Sequence, residues 1–152
     1  MPLTNKEKTL IEDNLNAEYL CIRKYEQYSA MASDQKIKQV FTDLAGKEQQ
    51  HAQTLKNMLS SNGENTYNMF ESYVKPQGDL SNMQPNLGIT DAQLLNDALS
   101  TEKHVSGSYN TAVLESVDPQ IRKQLQHIQQ EEQGHAETLF KEMKSRGWYN
   151  PS

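Results

Sequence analysis

The octapeptide Glu48–Leu55, EQQHAQTL, returns as Glu132–Leu139, EQGHAETL, and each copy sets a glutamate three positions ahead of a histidine. Residues three apart share one face of a helix, so each copy projects a carboxylate and an imidazole in the same direction. The likeness extends well past eight residues. Setting residue n against residue n+84 without gaps, Leu10–Gly63 onto Leu94–Gly147, gives 15 identities in 54 positions. Leu15/Leu99, Glu18/Glu102, Tyr25/Tyr109, Asp34/Asp118, Glu48/Glu132, His51/His135 and Gly63/Gly147 are among them. The chain reads as one helical hairpin used twice.

Start and stop signals divide each copy into two helices. Thr4 with Glu7, and Thr90 with Gln93, have capping-box spacing. Ser33–Asp34 and Asp118–Pro119 mark the two hairpin turns, where Asp caps the following helix and Pro119 suits its first turn. Gly63 and Gly147 stand where a helix end favours a left-handed residue. These signals predict helices over about 4–32, 35–61, 91–117 and 119–146.

Each helix carries an inward stripe at alternating steps of three and four. It runs through Ile11, Leu15, Glu18, Ile22 and Tyr25 in the first helix and through Ile37, Phe41, Leu44, Glu48, His51, Leu55 and Met58 in the second. The third gives Leu95, Leu99, Glu102, Ser106, Tyr109 and Val113, and the fourth Ile121, Leu125, Ile128, Glu132, His135 and Leu139. Between the halves, a linker at about 64–89 is long enough to cross the bundle lengthwise, since a helix of the second one's size spans roughly 39 Å and an extended chain of this length reaches about twice that. The expected architecture is all-α: a single ferritin-like four-helix bundle over 1–152, made of two duplicated hairpins with a long crossover. Tyr67, Phe70 and Val74 in the linker have helical spacing and are expected to pin it to the bundle, with a partner-binding stripe as the alternative.

Composition narrows the function. One domain fits 152 residues, and a mean hydropathy of −0.86 suits a narrow bundle with a wet exterior. No run approaches the roughly 20 apolar residues of a membrane span. MPLTNKEKTL lacks the apolar segment of a secretion signal, so an intracellular origin is expected. A net charge of −5 without any basic run argues against nucleic acid or an anionic membrane as partner. A single cysteine, Cys21, excludes an internal disulfide and a thiolate metal cluster.

Glu18 and Glu48 are equidistant from the first turn, and Glu102 and Glu132 from the second, so each hairpin sets its two glutamates level, roughly 22 Å from the turn. All four carboxylates should therefore meet at mid-bundle, with His51 and His135 one turn away. Four ionised carboxylates in an apolar interior lose hydration and repel one another. No Arg or Lys stands on any stripe to offset them. Two divalent cations would, with two neutral imidazoles completing the ligand shell. The composition matches a carboxylate-bridged di-metal site, one Glu from each of two helices and Glu-x-x-His from each of the other two. The competing reading is a hydrogen-bonded polar layer that sets helix register without metal.

This pattern resembles the ferritin-like superfamily of di-iron and di-manganese carboxylate proteins over nearly the whole chain. The resemblance implies terminal or bridging roles for Glu18 and Glu102, bridging roles for Glu48 and Glu132, and terminal nitrogen ligands at His51 and His135. Rubrerythrin-like proteins place a tyrosine against a ligand carboxylate, which implies a supporting role for Tyr25 and Tyr109; plain core packing is the alternative. The second half, YNTAVLESVDPQIRKQLQHIQQEEQGHAETLFKEMKSRGWYNP over Tyr109–Pro151, is similar to the coat F family of bacterial spore coat proteins. That likeness implies sporulation, a place in the spore coat, and other coat proteins or a second copy of the chain as partners, a homodimer among them.

Oxygen and imidazole ligands suit iron or manganese, and zinc also fits. Three functions follow: a coat-associated metal-binding protein, a di-metal oxidoreductase acting on peroxide or dioxygen, and metal storage. Val105 stands one turn after Glu102, where rubrerythrin-like proteins carry an additional carboxylate, which disfavours turnover needing a dedicated electron supply. His104 and His127 fall off the stripes and are expected to face solvent. Cys21 is expected to be a small buried hydrophobe, and Trp148–Tyr149 to cap the bundle end or contact another subunit.

Overall fold

The computed structural model describes residues 2–64 and 88–152. Its helices are α1 (Asn5–Met31), α2 (Gln35–Ser61), α3 (Asp91–Glu115) and α4 (Pro119–Ser145), and there is no strand among the described residues. The expected capping boxes are both formed. Thr4 Oγ1 accepts from Glu7 N at 3.1 Å while Glu7 Oε2 accepts from Thr4 N at 2.9 Å, and Thr90 and Gln93 repeat the exchange. Asp34 and Asp118 cap α2 and α4 from their side chains, with Pro119 at the start of α4.

Helix ends differ from expectation by up to two residues. Ala32 and Ser116 are extended, at φ −60°, ψ 145° and φ −76°, ψ 128°, because the chain must leave the helical region early enough for Asp34 and Asp118 to reach their cap positions. Gly63 and Gly147, at φ 81° and 75°, close α2 and α4. Glu64 N donates to Leu59 O and Gly63 N to Ser60 O, and Trp148 N and Gly147 N repeat the pattern onto Met143 O and Lys144 O. This is the Schellman arrangement, which glycine adopts without steric penalty.

The start of each hairpin grips the turn of the other. Glu7 Oε1 accepts from Val117 N at 2.7 Å and Asp118 N at 2.9 Å. Asp91, 84 residues on, accepts from Ser33 N and Asp34 N at 2.8 and 2.9 Å. So α3 begins at the end of the bundle where α1 turns into α2, opposite the end where α2 stops. Every adjacent pair, α1 with α2, α3 with α4, α1 with α3 and α2 with α4, is therefore antiparallel, and a pseudo-twofold axis lies across the bundle. Residues 65–87 of the expected crossover, Tyr67, Phe70 and Val74 among them, lie outside the described residues.

The core follows the stripes. Ile11, Ile37, Phe41, Leu55, Leu95, Leu125, Ile128 and Leu139 are all buried, each such side chain contributing roughly 1.5–3 kcal/mol by leaving water. One pair of expectations is corrected: Ile22 and Ser106 are only half-buried, and Cys21 and Val105 face inward instead. The path from Glu18 to Tyr25 can step three then four or four then three. The structure takes the first route in both α1 and α3. Phe140 meets Tyr149 edge-on at 4.9 Å, so the C-terminal aromatic folds back on α4. Trp148 lies under the Arg146 guanidinium and stays 40% exposed.

Candidate metal centre

All six stripe residues meet at mid-bundle. Glu18 comes from α1, Glu48 and His51 from α2, Glu102 from α3, and Glu132 and His135 from α4; none is more than 7% exposed. His51 Nδ1 lies 2.9 Å from Glu132 Oε1, 3.6 Å from Glu18 Oε1 and 3.7 Å from Glu48 Oε1. His135 Nδ1 lies 2.7 Å from Glu48 Oε1, 3.3 Å from Glu132 Oε2 and 3.6 Å from Glu102 Oε1. The two imidazoles stack at 5.5 Å between centroids.

These atoms form two overlapping sets, Glu18, Glu48, His51 and Glu132, and Glu48, Glu102, Glu132 and His135, each with one ligand-type atom per residue lying within 4.8 Å of the others. Glu48 and Glu132 are common to both; Glu18 with His51, and Glu102 with His135, belong to one each. The sets thus divide by hairpin, with the two Glu-x-x-His glutamates between them.

The donor atoms fit cations better than they fit one another. Glu18 Oε2, both oxygens of Glu48, Glu102 Oε2, Glu132 Oε2 and His135 Nδ1 are buried without a hydrogen-bond partner, although His135 Nδ1 is only 2.7 Å from Glu48 Oε1. Close approach without hydrogen-bond geometry is expected of ligands directed at a shared third centre. Left unmatched, each buried polar atom costs about 1–3 kcal/mol. Among the described residues no Lys or Arg forms an ion pair with any of the four carboxylates.

Without cations the cluster is electrostatically tense. Burial, reinforced by the close approach of Glu18 and the charges of Glu18, Glu132 and Glu102, holds Glu48 well above the usual carboxylate range. Glu102 is pushed up to about 8, by burial and by Glu132. Glu18 is raised by burial, against the nearby Glu48 and His51, which favour its ionised form. Glu132 moves the other way: burial opposes its ionisation, but the close imidazole of His135 and the hydrogen bond from His51 outweigh it. The imidazoles respond in kind. Burial disfavours their charged form, yet Glu132 with Glu18 raises His51 to about 10, and Glu102 with Glu132 raises His135 to about 9.

The tyrosines reach across the hairpins. Tyr25 Oη donates to Glu102 Oε1 at 2.5 Å, and Tyr109 Oη donates to Glu18 Oε1. Both rings are fully buried, and burial followed by the adjacent carboxylate charge keeps both phenols well above their usual range, hence protonated and donating.

His104 and His127 are exposed, as expected. Sequence reasoning missed Glu131. Its Oε1 lies 3.6 Å from His51 Nε2 and 2.9 Å from His127 Nε2, so it stands directly behind a candidate ligand. The signal was available: an acidic residue beside Glu132 and four after His127, where the first copy has Lys47. A groove of about 420 Å³ between α2 and α4, lined by Leu44, Lys47, Glu131 and His135 among others, opens onto this side of the centre. A second groove, of about 600 Å³ between α1 and α3, is walled in part by Cys21 and Val105 and touches none of the six residues.

The fold and this cluster define the class: the chain is a ferritin-like four-helix bundle with a buried carboxylate and histidine centre able to hold metal. Residues 90–152, the second hairpin and the C-terminal residues after it, match the family model of the Coat F domain. Among solved structures, a candidate spore coat protein from Bacillus halodurans C-125 superposes with a TM-score of 0.84 at 16% identity, covering 100% of this chain and 94% of that one. A manganese catalase from Anabaena gives 0.73 at 16% identity, covering 100% and 78%. A two-domain protein from Anabaena variabilis, with DJ-1/ThiJ/PfpI-like and ferritin-like domains, gives 0.74 at 16%, covering 99% and 40%. No curated protein matches. No helix among the described residues is long and apolar enough to cross a membrane.

Proposed function

We propose that this chain is a spore-coat-associated protein that binds two divalent cations, iron or manganese, in the bundle core. Glu18 and His51 would hold one ion, Glu102 and His135 the other, with Glu48 and Glu132 between them. The observation that carries this reading is the pair of overlapping ligand sets, rich in buried carboxylate oxygens that nothing else satisfies. The coat assignment rests on the Coat F match over the second hairpin. Other coat proteins or a second copy of the chain would be its partners.

When bound, such a pair of ions supplies either structural cross-linking of the four helices or a centre that changes oxidation state. The chain's own part is the same in both cases. Tyr25 and Tyr109 fix Glu102 and Glu18 in orientation, the apolar layers above and below exclude water, and the imidazoles present Nδ1 inward. Turnover of peroxide or dioxygen is the second reading, favoured by the open groove that His135 helps to line.

Elemental analysis of protein purified without chelators tests the first reading. About two ions per chain in the natural sequence, lost in Glu48→Ala and His135→Ala variants, supports it; a metal-free natural chain that takes up neither iron nor manganese on soaking overturns it. Peroxide consumption above the free-metal background selects the enzyme, and full occupancy without consumption selects the structural role.

A further inference from the structure

The duplication makes the two halves of the centre nearly alike, so a departure from it at the rim is informative. Behind His51 stands Glu131, and four residues before it His127. At the duplicate positions stand Lys47 and Asp43, which line a groove together with His135. One candidate ligand is therefore backed by a carboxylate, while the duplicate of that carboxylate is a lysine that lines a groove with the other, His135.

His51 directs Nδ1 at the cluster, and its Nε2 is buried without a hydrogen bond. Once Nδ1 gives its lone pair to a cation, the imidazole proton must sit on Nε2, which then becomes a buried donor in need of an acceptor. Glu131 Oε1 at 3.6 Å is the acceptor within reach. Its side chain is about one-third exposed and is shared with His127, which is far more exposed, so a small rotation of the carboxylate closes the gap. His135 has no such partner: among the described residues its ion-pair contacts all run through Nδ1. Carboxylates behind metal-bound histidines hold ring orientation and raise ligand basicity. The charges act in the same sense, since Glu131 attracts a nearby cation and Lys47 repels one.

Resting on the di-metal reading above, we infer that Glu131 is a positioning residue that makes the two metal positions unequal, so that the Glu18–His51 position fills first and binds more tightly. Lys47 keeps the Glu102–His135 position the weaker of the two.

Titration with Co(II), followed by its visible absorption and by chelator competition, tests this. The natural chain is expected to bind two ions in separate steps. Glu131→Leu weakens the tighter step 10- to 100-fold, the range usual for such partners, and leaves the other unchanged. Glu131→Gln keeps an acceptor oxygen and recovers part of the loss. Lys47→Glu tightens the weaker step and narrows the gap. On a His135→Ala background, Glu131→Leu weakens the remaining ion; on a His51→Ala background it has no effect. Circular dichroism checks that substitution of this one-third-exposed side chain leaves the helices intact. Equal weakening of both steps by Glu131→Leu, or none, overturns the inference while leaving a two-ion centre standing. A natural chain that binds no Co(II) overturns both together.

Discussion

Tyr25 of the first hairpin donates to Glu102 of the second at 2.5 Å, and its duplicate Tyr109 returns the bond to Glu18. The same exchange recurs at the bundle ends, where Glu7 holds the turn at Val117–Asp118 and Asp91 holds the turn at Ser33–Asp34. Each hairpin thus completes polar groups that the other cannot satisfy alone. Neither hairpin is a self-sufficient unit, even though each repeats the other.

Removing one tyrosine hydroxyl leaves a buried carboxylate oxygen without its donor. Tyr25→Phe and Tyr109→Phe keep ring volume, so packing is preserved and the loss is polar. Each is expected to lower the stability of the metal-free protein by about 1–3 kcal/mol, measured by urea unfolding. Two substitutions whose combined cost equals the sum of single costs would mean that the tyrosines act independently; the shared carboxylate cluster predicts a departure from additivity.

Glu48 and Glu132 belong to both ligand sets, whereas Glu18 and Glu102 belong to one each. Glu48→Gln is therefore expected to abolish uptake of both ions, while Glu18→Gln and Glu102→Gln each leave one, as read by elemental analysis. In the metal-free protein the sign reverses: Glu48 is a buried acid pressed by three neighbouring carboxylates, so its amide should raise stability by about 1 kcal/mol or more. A variant less stable than the metal-free natural chain would contradict this account of the cluster as unfavourable when empty of cations.

Binding to the folded state alone stabilises by mass action, about 2.7 kcal/mol per position at a hundredfold excess over Kd. For a chain of this size that is a rise in thermal midpoint of roughly 5–10 °C per ion. Manganese or iron added to chelator-treated protein should produce it, a chelator should reverse it, and Glu48→Gln should show none of it.

Much of this arrangement is legible in the amino-acid sequence. The 84-residue offset, the three-four stripes and the equidistance of Glu18/Glu48 and Glu102/Glu132 from their turns place four carboxylates at one height with His51 and His135 one turn away, and the structure brings all six together. Periodicity names the face a residue occupies and not its partner across the bundle, which is why the crossed pairing of Tyr25 with Glu102 was not readable. The choice of Cys21 over Ile22, and of Val105 over Ser106, was hidden for another reason: 3.6 residues per turn lies between the two steps. Glu7 was recognised as half of a capping box, but its second role depends on where the other hairpin's turn arrives. Arg146, bridging Asp34 at 3.1 Å and Glu142 at 2.9 Å, depends on that same end-to-end arrangement.

Glu7 gives the molecule a pH-dependent lock. Burial opposes its ionisation, but the backbone amides of Asp118, Thr4 and Val117 hold its carboxyl below the usual value. A folded-state value below the unfolded one contributes stability that is present above about pH 4.5 and is lost as pH falls through the lowered value. Glu7→Gln should therefore cost about 1–2 kcal/mol near pH 7, and the difference from the natural chain should shrink toward pH 3. Urea midpoints at the two pH values decide it; a gap that stays constant would show that the carboxylate's charge is immaterial to the turn.

Cys21 occupies in α1 the position that Val105 occupies in α3, facing inward beside the carboxylate and histidine cluster and 3% exposed. Burial first, then the charges of Glu18, Glu102 and Glu132, push its thiol well above the usual range. A thiolate is the reactive form, so a disulfide-exchange reagent at pH 8 should label the native protein only through unfolding, at a rate that rises with urea in step with the loss of helix. Cys21→Val copies the duplicate site and should change stability by less than about 1.5 kcal/mol, as near-isosteric core exchanges do. Cys21→Asp adds a fifth carboxylate to the cluster and should destabilise the metal-free fold by about 3 kcal/mol or more. Rapid labelling of the folded chain, or a valine variant that unfolds, would show that position 21 does more than fill the layer its twin fills with an aliphatic side chain.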